Sequence, residues 1–272
     1  MDKLHRNERI GALIKILSDN PNKIFTFGYF TELFNAAKST ISEDIAIVKD
    51  TMEKFGFGIV ETISGAAGGV KYIPLISREK AKAFVRDLCT RLVNPDRIIP
   101  GGYIYMTDII YSPEIVNIIG KILASQFVGL DADYVLTVET KGIPISLVTA
   151  MNLNIPLVIV RRDSKVTEGP TVSINYITGS SKRIQTMSLS RRAIRENTKS
   201  IFIDDFMKAG GTANGIIELM REFRNEVVGI GVLIETLKPD NKLVKNYISL
   251  LTLDEVDEHK GVIGIEPSAL FV

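Results

Sequence analysis

The 272-residue chain has no tryptophan, one cysteine and two histidines. The single thiol, Cys89, excludes an internal disulfide framework and a cysteine-based zinc site within one chain. His5 and His259 lie near opposite ends, so Ser/His/Asp and Cys/His mechanisms have no plausible assembly. No run of about 18 uninterrupted apolar residues occurs, and Met1 to Glu8 hold no apolar segment. Neither a spanning helix nor a signal peptide is expected, and the reading is a cytoplasmic protein with no membrane partner.

A charge excess is missing as well: the net charge is +1, with 45% hydrophobic and 24% charged residues. These are ordinary globular values and argue against a disordered, collagen-like or coiled-coil chain. At roughly 150 residues per domain the length suggests about two domains. The balance hides one uneven region. Residues 161–199 carry 9 basic and 3 acidic side chains, and residues 200–272 carry 7 and 12. The basic segment suggests an anionic ligand nearby.

What is present divides at about residue 74. Ile10, Leu13, Ile14 and Leu17 recur at helical spacing, and Asp19-Asn20-Pro21-Asn22 stops that helix. A second short helix is expected over 31–37. A third is expected from Ser39 or Thr40, with Thr40-Ile41-Ser42-Glu43 as a capping box and Ile41, Ile45, Val48 and Met52 as its apolar face. Two short β-rich runs, 59–63 and 70–73, flank the Gly-rich turn 64–69. Three helices and a hairpin are the order of a winged helix, whose second motif helix enters the major groove of DNA. The residues expected at double-stranded operator DNA are Lys38, Ser39, Thr40, Ser42 and Glu43 at the start of that helix, and Lys71 and Tyr72 behind the wing.

Residues 75–272 read as a second domain, with 75–100 as a helical connector. Ser112-Pro113-Glu114 is a strong helix start. Near-continuous apolar runs at 134–138, 156–160, 200–204 and 228–234 read as buried parallel strands, with helix-length segments 142–152 and 211–223 between them. The fold class is α/β: a winged helix followed by a doubly wound, mainly parallel sheet. Residues 171–177 and 183–189 break the rhythm as an antiparallel hairpin inside the basic segment.

The chemistry concentrates in Ser200-Ile201-Phe202-Ile203-Asp204-Asp205-Phe206-Met207-Lys208-Ala209-Gly210-Gly211-Thr212. An apolar strand runs into two acids, then a Gly-Gly-Thr turn, then a helix. Carboxylates at a strand end accept hydrogen bonds from sugar hydroxyls. The glycines allow close backbone approach, and the helix start favours an anion. Thr212 adds a hydroxyl and Lys208 a charge, so the segment suits a sugar phosphate. It matches neither the Walker A pattern nor the dinucleotide glycine fingerprint.

The segment from Phe202 to Thr212 resembles the phosphoribosyl pyrophosphate (PRPP) motif of type I phosphoribosyltransferases. The resemblance implies that Asp204 and Asp205 hold the ribose hydroxyls. It implies that the loop Phe206, Met207, Lys208, Ala209, Gly210, Gly211 and Thr212 holds the 5′-phosphate. Thr140, Lys141 and Gly142, after the 134–138 strand, fit the loop that cradles pyrophosphate. The basic hairpin, with Arg161, Arg162 and Lys165, fits the hood over the ligand. Tyr103 and Phe206 are candidate stacking surfaces.

Over nearly its whole length the chain is similar to the Gram-positive purine operon regulators of the PurR type. The matching residues include Ala37-Lys38-Ser39-Thr40-Ile41-Ser42-Glu43-Asp44, Gly65 to Pro74, Pro100-Gly101-Gly102-Tyr103 and Lys165-Val166-Thr167-Glu168-Gly169. The resemblance implies a homodimeric repressor or activator without catalytic residues. Its effector would be PRPP with Mg²⁺, in competition with purine nucleotides such as ppGpp. No metal site or tightly bound cofactor of the protein's own is expected. An active purine-type phosphoribosyltransferase with an attached nucleic-acid module is the alternative reading.

Overall fold

A computed structural model describes residues 4–65, 68–163, 169–177 and 183–272. The chain divides into two compact units. One comprises Met1–Ser77 with Met151–Asn154, the other Arg78–Ala150 with Ile155–Val272. Among the described residues, no helix is long and apolar enough to cross a membrane.

In the first unit, helices α1 (Arg6–Asp19), α2 (Phe27–Phe34) and α3 (Lys38–Lys54) precede a hairpin of β1 (Ile59–Ile63) and β2 (Gly69–Ile73). Leu13, Leu17, Phe30, Ile41, Ile45, Val48 and Met52 form its core with Val60 and Val70. Two helix boundaries differ from the sequence reading. The second helix lies at 27–34 rather than 31–37, because the Thr26 hydroxyl accepts from the Tyr29 amide (3.2 Å) and Asn35 turns left-handed at φ 46. The third begins at Lys38 with Ala37 as its N-cap. Thr40 and Glu43 therefore lie inside the helix rather than in a capping box. Glu43 pairs instead with Arg6 at 2.8 Å.

The second unit opens with α4 (Arg78–Leu92), a two-residue strand pair β3 (Ile98–Ile99) and β4 (Tyr103–Ile104), α5 (Thr107–Ile110) and α6 (Pro113–Gln126). Then follow β5 (Tyr134–Val138), α7 (Ile143–Leu153), β6 (Leu157–Val160), the hairpin β7 (Thr171–Ile177) and β8 (Ile184–Ser190), β9 (Lys199–Met207), α8 (Gly211–Glu222) and β10 (Glu226–Thr236). The strands β11 (Ile248–Asp257) and β12 (Val262–Pro267), absent from the sequence reading, complete the sheet. Its order is β12-β11-β10-β9-β5-β6, parallel except for the β11–β12 edge pair.

Side-chain alternation along the strands gives the sheet two covered faces. Phe202, Ile230 and Val232 pack with Ile216, Leu219 and Met220 of α8 on one face. Gly229 and Gly231 face the other way. A Cβ on Gly231 would stand 3.0 Å from Phe127 and 3.1 Å from Leu123, which places α6 there. β9 runs past the expected end at Asp204 through Met207, because Phe206 and Met207 remain paired with Ile234 and Glu235 of β10. Both acids therefore lie within the strand, which continues for two residues beyond Asp205.

Candidate functional site

The chain leaves β5 through α7 to reach β6 on one side. It leaves β9 through α8 to reach β10 on the other side. Since β5 and β9 are neighbours, the connections diverge there, and a crevice opens at the carboxyl ends of the strands. Three adjoining lobes of about 270, 420 and 550 Å³ occupy that crevice.

Asp204 lies at the bottom, buried, with its Oδ1 accepting from the Asp205 amide at 2.9 Å. Burial, reinforced by the neighbouring Asp205 charge, pushes the Asp204 carboxyl well above the ordinary carboxylate range. Asp205 is half-buried and lines two lobes. Gly142 backs the pair: a Cβ there would fall 2.6 Å from the Thr137 hydroxyl and 2.7 Å from Asp204 Oδ1. A glycine is required because any side chain would displace the acid.

The smallest lobe is bounded by residues 208–212 and Arg162. Gly210, at φ 77, is the N-cap of α8, and a Cβ on it would meet Val244 at 3.0 Å. The first amides of a helix have no intrahelical acceptor, so the start of α8 aims donors and a positive dipole end at this lobe. The middle lobe lies between Thr140 and Lys141 on one side and Thr212 on the other. Its loop is tied by Glu139, whose Oε1 accepts from the Arg162 amide (2.9 Å) and whose Oε2 accepts from Arg161 (3.2 Å). The largest lobe is rimmed by Tyr103, Phe206, Lys208, Lys238, Asp254 and Glu255. The Gly101 and Gly102 amides donate to Glu258 Oε1 at 2.7 and 2.5 Å, pinning the loop that carries the exposed Tyr103.

The crevice thus gathers Asp204, Asp205, Phe206, Lys208, Ala209, Gly210, Gly211 and Thr212 with Thr140, Lys141, Arg162 and Tyr103. Met207 borders it, but the residue is buried in the sheet core. Arg161 is not brought in. Its guanidinium binds Glu139, and its backbone pairs with Ser188 in an antiparallel bridge. Lys165 lies outside the described residues, as does the rest of 164–168. Sequence reasoning missed Tyr176 and Gln185, which reach the crevice from the hairpin and share a 2.7 Å hydrogen bond. Their alternation marked a strand but did not show which side faces the acids. It also missed Glu139, whose signal was its place directly before Thr140. Among the described residues, no group of three or more His, Cys, Asp or Glu could hold a metal.

In the first unit, the exposed side of α3 carries Lys38, Ser39, Ser42 and Lys49. At 100° per residue, Lys38, Ser42 and Lys49 fall within about 40° of one another. Lys49 was missed by the sequence reading, though its spacing from Lys38 signalled the shared face. Thr40 is half-buried on the same helix. Lys71 pairs across the hairpin with Glu61 at 3.2 Å. Tyr72 is no surface contact: it is buried in the core, and its hydroxyl donates to the Phe57 carbonyl at 2.5 Å. The alternation of β2 sends it inward with Val70. At the wing tip, residues 66–67 lie outside the described residues.

Comparison with known proteins places both units. The family described as "Bacterial purine repressor, N-terminal" matches residues 5–74, and the "Phosphoribosyl transferase domain" matches residues 106–266. The purine biosynthesis transcriptional repressor of Bacillus subtilis (strain 168) is 49% identical over 264 residues, covering 97% of this chain and 93% of that protein. The purine biosynthesis transcriptional activator of Lactococcus lactis subsp. lactis (strain IL1403) is 38% identical over 268 residues, covering 98% and 99%. The solved adenine phosphoribosyltransferase of Rhodothermus marinus superposes with a TM-score of 0.53 at 23% identity, over 63% of this chain and 99% of that one, and shows the fold of the second unit. This chain therefore belongs to the family of bacterial purine biosynthesis transcriptional regulators, in which a purine-repressor DNA-binding domain precedes a phosphoribosyltransferase domain.

Proposed function

We propose that the protein regulates transcription of purine biosynthesis genes, and that its phosphoribosyltransferase-type crevice reads PRPP as a signal without transferring it. The carrying observation is the juxtaposition of Asp204 and Asp205 with the start of α8 in one crevice. A ribose ring bridges those two features. Its hydroxyls face the carboxylates, its 5′-phosphate meets the amides of residues 211–213, and its pyrophosphate lies toward Thr140, Lys141 and Arg162. Mg²⁺ enters as the counterion of pyrophosphate. A purine nucleotide with several phosphates, such as ppGpp, competes for the same donors. Tyr103 and Phe206 flank the lobe that would take its base.

The first unit supplies the response. Its α3 presents Lys38, Ser39 and Ser42 to the major groove, and two copies in a homodimer read two half-sites. The test is a titration onto duplex DNA from upstream of a purine biosynthesis operon, at fixed salt, with and without PRPP and Mg²⁺. PRPP is expected to shift the affinity by about 5- to 150-fold, the ordinary range of allosteric coupling. Asp204→Asn with Asp205→Asn should abolish the shift and keep the DNA binding. An unshifted wild type, or pyrophosphate release when purine bases are supplied, would refute the sensor reading.

A further inference from the structure

The charged residues buried in the first unit, among those described, are Arg9 and Asp44. Asp44 sits in the second turn of α3 with no exposed side-chain surface. Its Oδ2 accepts from Arg9 Nε at 2.7 Å and its Oδ1 from Arg6 Nε at 3.1 Å. Arg9 also donates to the Leu4 carbonyl at 2.7 Å. Arg6, with 52% of its side chain exposed, reaches Glu43 at 2.8 Å as well. Two arginines on consecutive turns of α1 thus grip one carboxylate on α3.

A buried ion pair is poor evidence for stability, because desolvating the charges offsets most of their attraction. Its distinct property is direction. The apolar contacts of Leu13 and Leu17 with α3 favour burial without fixing one rotation of the helix. A carboxylate bound through both oxygens admits one axial register. That register aims the stripe of Lys38, Ser42 and Lys49, which lies within two turns of Asp44. The same contacts draw Arg6 Nε and Nη2 and Arg9 Nε to acids and Arg9 Nη1 to a carbonyl, so a phosphate would have to compete with them.

We propose that Asp44 is a positioning residue of the DNA interface: it sets the register of α3 on α1 and withholds Arg6 and Arg9 from sequence-independent phosphate contacts. The inference rests on the reading of the first unit as the DNA-binding module.

The test compares the full-length protein and Asp44→Asn on the purine-operon duplex and on a scrambled duplex of equal length, at four salt concentrations. Folded fractions are matched by circular dichroism. Asp44→Asn should lose at least tenfold in the ratio of the two affinities. Its affinity for the scrambled duplex should hold or rise, and its salt slope there should steepen by about 0.9, one added phosphate contact. If Asp44→Asn does not fold, Arg6→Gln, cut at a half-exposed side chain, takes its place. It should reduce the ratio about threefold with no gain on the scrambled duplex. Equal losses on both duplexes, or an unchanged ratio, would overturn the proposal. A wild-type protein that does not prefer the purine-operon duplex would overturn the DNA reading itself, and the proposal with it.

Discussion

Single residues decide whether the crevice can hold a ligand. Gly142→Ala puts a methyl 2.6 Å from the Thr137 hydroxyl and 2.7 Å from Asp204. Overpacking of this kind costs about 1–3 kcal/mol, and PRPP affinity by calorimetry should fall at least tenfold. Wild-type affinity would show that the acid moves freely. Asp204 carries a linkage prediction. Its folded carboxyl titrates above the ordinary range because it is buried beside Asp205. The folded state therefore holds the proton where the unfolded state has lost it. The stability contribution is complete below the unfolded value near 4 and is lost as pH rises through the raised folded value. Asp204→Asn removes that loss: it should melt higher at pH 7 than the wild type, with a flatter profile above pH 4, while ceasing to bind PRPP. A variant melting lower at pH 7 would contradict the assignment. The glycine and acid types were readable in the sequence. The contact of Gly142 with Asp204 was not, because 62 positions separate them.

At the scale of elements, the basic hairpin is not a free flap along its described length. Tyr176, Met187 and Leu189 are buried in the sheet core, and Val172 and Ile174 pack against it. A Cβ on Gly215 of α8 would meet Tyr176 at 3.0 Å and Met187 at 3.2 Å, so a bare backbone is what lets the hairpin dock. Met187→Ala leaves a cavity under this contact. It should cost about 2–5 kcal/mol and speed amide exchange across 171–177 and 184–190, with little effect on β5. Uniform exchange over the domain would mean that the hairpin and sheet open together. The sequence showed the hairpin through its alternation of period two. It did not show the docking, because half-apolar strands fit a hood and a packed layer equally well. The residues that the hood reading depends on, 164–168 and the tip 178–182, lie outside the described residues.

In the whole molecule, the chain joins a DNA-binding domain, whose residues 1–74 carry 9 basic and 9 acidic side chains, to a phosphoribosyltransferase domain. Binding through few cations predicts a shallow salt dependence, about 0.9 in slope per phosphate contact. Lys38→Ala and Lys49→Ala should each reduce the slope of operator binding by about that amount per contact removed. An unchanged slope would place the phosphate contacts on other residues. Linkage adds a reciprocal expectation: whatever factor PRPP imposes on operator affinity, the operator imposes on PRPP affinity. Because the cycle must close, unequal factors would mean that the two titrations were not both at equilibrium under the same salt and Mg²⁺.

Local periods and special residues were legible from the order of amino acids alone. These were the amphipathic faces of α1 and α3, the apolar runs of β5, β6, β9 and β10, the Ser112-Pro113 helix start and the Asp204-to-Thr212 segment. Each depends on neighbours a few residues away, and short-range sterics and burial act at that range. That order left β11 and β12 unread, put two helix starts out of place and sent Tyr72 to the surface. Tertiary structure decided what depends on distant partners. Pairing with β10 prolonged β9 beyond its acids, Glu139 claimed Arg161, and Arg6 and Arg9 converged on Asp44. These outcomes are set by which groups meet once the chain is packed. A buried carboxylate must find its donors in space, whatever their distance in sequence.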